Sequence, residues 1–102
     1  MDVLHIDRAA FDKLAQQDKP VLVDFWASWC GPCMKMGPVL ENIAAERADI
    51  VVAKVDVDSN AEFAAELGID AIPALFLFKG GVEQKRAVGY MDKDTLLKKL
   101  GL

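Results

Sequence analysis

Two cysteines three residues apart, in Trp29-Cys30-Gly31-Pro32-Cys33, constrain this chain more than any other stretch. They follow an apolar run, Val21-Leu22-Val23-Asp24-Phe25-Trp26, and precede Met36, Leu40, Ile43 and Ala44, which recur at helical spacing. A buried strand therefore hands over to a helix at the two thiols. Gly31 lets the backbone turn sharply and keeps side-chain bulk away from the sulfurs. Pro32 has its φ fixed near the helical value and needs no N–H partner in a first helical turn. Cysteines at this spacing share a face and come close enough to pair. The helix N-terminus adds unpaired N–H groups and partial positive charge near Cys30, which favours thiolate over thiol. These are the conditions of a reactive cysteine.

The chain has no other cysteine, and that narrows the alternatives. A structural zinc needs about four ligands, and the sole histidine, His5, lies far off in sequence. Haem attachment requires histidine directly after the second cysteine, where this chain has Met34. A passive staple is the remaining rival. By loop entropy a bridge over so short a loop is worth only about 2 kcal/mol, against about 3 for a 15-residue loop. A chain with a core of its own has little need of it. Redox chemistry is the better reading.

That core is affordable: 53% of the 102 residues are hydrophobic and 27% are charged, the balance of one soluble domain spanning 1–102. A net charge of −4 argues against a nucleic-acid footprint. The longest stretch without Asp, Glu, Lys or Arg runs from Phe25 to Met34, well short of the ~20 apolar residues of a membrane span. Residues 1–8 lack a basic segment followed by an apolar one, so no secretory signal is read and a cytoplasmic setting is expected.

Val3 to Ile6 reads as a short strand, and Asp7 as the cap of a helix with Phe11, Leu14 and Ala15 inward. Lys19-Pro20 ends that helix. Val21 to Trp26 is apolar on both faces, as in the middle of a covered sheet, with Asp24 the exception. Pro38 should kink the helix after the cysteines. Ile50 to Val57 is a third strand carrying the odd charge Lys54. Ser59 with Glu62 fits a capping box opening a short helix that stops at Gly68. Ala74 to Lys79 forms a fourth strand, introduced by Ile72-Pro73. Gly80-Gly81 is hairpin chemistry, so Val82 to Gly89 should return antiparallel. Asp92 caps a last helix bearing Leu96, Leu97 and Leu100, with Lys98 and Lys99 suited to its dipole. The order β-α-β-α-β-α-β-β-α implies a mixed, partly parallel sheet with helices on its faces.

The stretch Val-Asp-Phe-Trp-Ala-x-Trp-Cys-Gly-Pro-Cys at 23–33 resembles the active-site signature of the thioredoxin family. Pro38, Lys54, Ile72-Pro73 and Gly89 fall where that family has its helix proline, buried lysine, cis-proline loop and groove glycine. The resemblance implies an α/β fold in three layers, a five-stranded mixed sheet flanked by four helices. It implies a protein-disulfide reductase, an electron carrier serving cell redox homeostasis through a redox-active Cys30–Cys33 disulfide. Cys30 would attack a client disulfide, and Cys33, a turn further into the helix, would resolve the mixed disulfide. No cofactor would be bound; electrons would come from NADPH through a flavoprotein thioredoxin reductase. Expected clients are disulfide-bearing proteins such as ribonucleotide reductase, peroxiredoxins and methionine sulfoxide reductases, served by a monomer.

Asp24 has two readings: a partly solvated carboxylate at a strand end, or a buried one whose pKa is raised by lost hydration. In the second it takes the proton from Cys33, as in the family, with Lys54 nearby to tune it. Lys54 is otherwise an exposed edge-strand lysine. Ile72-Pro73 is either an ordinary trans proline or, as the resemblance implies, a cis bond set against the cysteines. There the backbone of Ile72 would pair with an extended client inside an apolar patch of Trp29, Ile72, Pro73 and Gly89. Trp26 packs under the active-site loop. Met34, Ala74 and Tyr90 depart from common family choices and bear on partner preference. Two other functions stay open: a thiol oxidase or isomerase, disfavoured by Gly31-Pro32 and the missing signal, and a non-catalytic partner-binding module.

Overall fold

The computed structural model describes residues 2–102; Met1, at the head of the 1–102 span, lies outside them. Among the described residues the elements are β1 (Leu4–His5), α1 (Arg8–Leu14), β2 (Val21–Trp26), α2 (Gly31–Glu46), β3 (Val51–Asp56), α3 (Ala61–Glu66), β4 (Ala74–Lys79), β5 (Val82–Val88) and α4 (Lys93–Lys99). Their order is the one expected. They form a single five-stranded sheet in the order β1-β3-β2-β4-β5. β3 runs parallel to β1 and β2, while β4 is antiparallel to both β2 and β5.

The doubly apolar β2 lies at the centre because only a strand covered on both faces can bury such a run. Val21, Val23 and Phe25 point to one side, where α1 and α3 supply Phe11 and Phe63. All five phenylalanines gather there, with linked ring centroids 4.7 to 5.7 Å apart and mostly tilted or edge-on. Leu22 points to the other side, against Met36, Leu40 and Ile43 of α2 and Leu96 of α4. The two-residue period of a strand puts Asp24 on this second face, under α2.

Asp7 and Asp92 cap α1 and α4 through bonds accepted from the Ala10 N–H (2.9 Å) and the Thr95 N–H (2.8 Å). The expected Ser59–Glu62 capping box does not form. Asn60 is the N-cap of α3, and its side-chain amide donates back to the Asp56 carbonyl at 2.9 Å instead of capping. α3 closes as foreseen at Gly68 (φ +68°), with Gly68 and Ile69 N–H donating to the Ala65 and Ala64 carbonyls. Gly80 and Gly81 both have positive φ, +59° and +77°, the backbone of a type I′ hairpin that only glycine adopts freely. β1 is shorter than Val3 to Ile6: those two flanking side chains pack onto opposite cores, and only Leu4 and His5 join the ladder. β3 lies between β1 and β2, so Lys54 is not on an edge strand. α2 continues through Pro38.

Candidate active site

Cys30 is the N-cap of α2. Its backbone is extended (φ −97°, ψ 110°) and its sulfur accepts the Cys33 N–H at 3.2 Å. Gly31 and Pro32, both exposed, make the first two helical positions. Cys30 and Cys33 are joined in a disulfide with Cα atoms 5.2 Å apart. Cys30 keeps 7% of its surface exposed and Cys33 none. The sulfurs pack with Ala27, with Trp26, Val57 and Ile72 alongside. Once the bond is reduced, the Cys33 amide and the helix terminus favour negative charge on Cys30, so this sulfur can leave or attack as thiolate.

The Ile72-Pro73 peptide bond is cis. The Ile72 carbonyl oxygen stands 3.8 Å from the Cys30 sulfur, and Pro73 is buried behind it. Gly89 N–H donates to the Pro73 carbonyl at 2.8 Å, which fixes the end of β5 beside this loop. The Ile72 N–H has no hydrogen-bond partner among the described residues and is free for a chain laid alongside. Of the four residues expected to form an apolar patch, Trp29 is 70% exposed, Ile72 and Gly89 are half-buried, and Pro73 acts from beneath.

Trp29 is held upright by a hydrogen bond from its indole N–H to Asp58 at 3.0 Å. Asp58 sits in a turn closed by its own N–H donating to Asp56 at 2.8 Å. Between Trp29 and Ile72 opens a cleft of about 190 Å³, lined also by Val57, Ala64, Ile69, Asp70 and Ala71. Sequence reasoning missed Asp58 and Asp70. The one signal for Asp70 was its place in Ile69-Asp70-Ala71, directly before the Ile-Pro pair. Met34 and Tyr90 are both exposed, at 45% and 48%.

Asp24 is fully buried, and neither carboxylate oxygen has a hydrogen-bond partner among the described residues. The solvated reading is thereby excluded. Loss of hydration pushes its pKa up from 3.8 to about 7, against the pull of Lys54, which lowers it. Lys54 is its register partner on β3 and is half-buried, its ammonium 4.5 Å from the Trp26 ring centroid. Clefts of about 440 and 540 Å³ are both lined in part by Lys54, whereas Asp24 lines neither. The Trp26 indole N–H is also buried without a partner among the described residues. Trp26 packs against the cysteine cluster, as expected of it. No three His, Cys, Asp or Glu side chains gather as a metal-ligand set among the described residues.

The family model for thioredoxin matches residues 2–101. The thioredoxin of Alicyclobacillus acidocaldarius is 54% identical over 86% of this chain and 85% of that protein. A bifunctional thioredoxin reductase/thioredoxin of Mycobacterium leprae is 50% identical over 92% of this chain and 21% of that much longer protein. Among solved structures, the thioredoxin of Malassezia sympodialis superposes with a TM-score of 0.87 at 38% identity, covering 98% of this chain and 89% of that one.

Proposed function

This chain belongs to the thioredoxin family and is a protein-disulfide oxidoreductase, and from that premise we propose that it works as a general reductase of protein disulfides. The observation that carries the reading is the asymmetry of the pair: Cys30 caps the helix and keeps 7% of its surface exposed, while Cys33 is fully buried. Cys30 thiolate attacks one sulfur of a client disulfide, forming a mixed disulfide and expelling the client's other thiolate. Cys33 then gives its proton to the Asp24 carboxylate, directly or through water, and attacks the Cys30 sulfur. The client leaves with two electrons gained, and the Cys30–Cys33 disulfide is left behind. Lys54 holds part of the Asp24 population ionised near neutral pH, as its lowering of that pKa supports.

Thioredoxins act with thioredoxin reductase, and one relative carries both activities in a single chain. The proposal includes a flavoprotein reductase that passes electrons from NADPH to this disulfide, closing an electron-transport cycle in the cytoplasm. The chain works as a monomer on clients such as ribonucleotide reductase, peroxiredoxins and methionine sulfoxide reductases. The test is turbidimetric reduction of insulin with dithiothreitol, joined to the equilibrium of the dithiol with glutathione. A reductase accelerates insulin reduction and holds a potential well below that of glutathione. A potential near that of glutathione or above it points to an oxidase or isomerase, and an inert dithiol to a binding module.

A further inference from the structure

We propose that Asp70 selects clients carrying lysine or arginine next to the disulfide cysteine, a substrate preference that rests on the reductase reading above. The cleft between Trp29 and Ile72 adjoins the reacting sulfur, because Ile72 both lines it and sets its carbonyl 3.8 Å from Cys30. A client bonded to Cys30 therefore lays a neighbouring side chain into it. The walls are apolar, formed by residues such as Trp29, Ile69 and Ala71, and Asp70 is the one charged residue lining it. Asp70 is exposed and makes no hydrogen bond or ion pair among the described residues. The cation that feels its charge, Arg86, is already committed. Its guanidinium makes two 2.7 Å bonds to Glu83 and one of 3.0 Å to the Leu67 carbonyl. So the cleft presents an apolar floor and, at Asp70, a carboxylate that no cation among the described residues bonds directly. An aliphatic stem with a cationic head fits both parts. A glutamate would meet like charge, and a short polar side chain would leave the floor uncovered.

The test uses the reduced full chain and three disulfide-linked peptides that differ only beside the cysteine, bearing lysine, norleucine or glutamate. In low salt the wild type should show kcat/KM about two- to five-fold higher for the lysine peptide than for the glutamate one, the scale of one exposed ion pair. Asp70→Asn should bring the ratio to about one, and Asp70→Lys should invert it, with the norleucine peptide unchanged throughout. About 1 M salt, with a Debye length near 3 Å, should flatten all three proteins to one ratio. A lysine-to-glutamate ratio unmoved by Asp70→Lys overturns this inference and leaves the reductase reading standing. Failure of the wild type to reduce any of the peptides overturns both.

Discussion

Asp24 and Lys54 stand opposite each other in register on β2 and β3, yet the ammonium rests over the Trp26 ring and leaves the carboxylate without a hydrogen bond among the described residues. Attraction between them is thus incomplete, and burial wins. That outcome gives a carboxyl poised near neutrality, which the proposed proton transfer from Cys33 requires. It also costs stability, and the cost has a definite pH dependence.

The folded-state pKa of Asp24 is raised, so between its unfolded value of 3.8 and about 7 the folded chain binds the extra proton. Stability must therefore fall as pH rises through this window, the reverse of the usual paired aspartate. The full linkage amounts to roughly 4 kcal/mol, complete near pH 7 and absent below pH 4. Asp24→Asn in the disulfide form should equal wild type in acid and exceed it by roughly 1–4 kcal/mol at neutral pH. Urea melts across this range check it. A variant less stable than wild type at pH 7 would mean that Asp24 makes structural bonds.

Lys54→Met keeps an apolar, flexible side chain against Trp26 while removing the charge that lowers the Asp24 pKa. The Asp24 titration should then move above 7. Resolution of mixed disulfides at pH 7 should slow several-fold, with its pH–rate profile displaced upward. Carboxyl carbon NMR and single-turnover kinetics read the two effects separately. A rate loss with an unmoved titration would mean that Lys54 acts on something other than Asp24.

The two sulfurs should divide their labour as their burial divides them. Cys33→Ser should accumulate clients as mixed disulfides on Cys30, and Cys30→Ser almost none. Both should lose at least 99% of turnover, about 3 kcal/mol in barrier terms. Non-reducing gels with peptide mass mapping decide it. Equal trapping by both variants would remove the distinction between nucleophile and resolver.

What the sequence makes legible here is local. The run Val21 to Trp26 is apolar at every position but one, and a strand of that kind has no place except the sheet centre. Cys-Gly-Pro-Cys carries its own turn and helix start. Asp58 and Asp70 carry no such signal, because their importance lies in what long-range packing sets beside them: the Trp29 indole in one case, an open cleft in the other. The start of α3 fails for a different reason. Ser59 and Asn60 are both good caps on paper, and the side-chain bond of Asn60 to Asp56 fixes which residue ends the turn.

Among the departures from common family choices, Met34 directly follows Cys33 in the chain. It begins a helical row that continues through Gly37, Glu41 and Ala45, which line the cleft beside Lys54. Lys35, one position on, belongs to the row of Val39 and Glu46, and Glu46 meets Lys93 of α4 at 2.7 Å. The existing lysine therefore serves the opposite flank, and Met34→Lys would bring charge to a flank that now offers an exposed thioether. The new ammonium would stand roughly 8 Å from the Cys30 sulfur in a partly solvated setting. At effective dielectrics of about 40–80 that is worth roughly 0.5–1 kcal/mol in favour of the Cys30 thiolate of the reduced protein. Physiological salt should shrink the effect, since the Debye length there is also about 8 Å. Loss of the thioether should at the same time weaken binding of clients that present apolar side chains on this flank. Ultraviolet thiolate absorbance of Cys30, titrated at low and moderate ionic strength, measures the electrostatic half. A pKa unchanged at low salt would show that charge at position 34 does not reach the sulfur, and would leave Met34 as a contact surface alone.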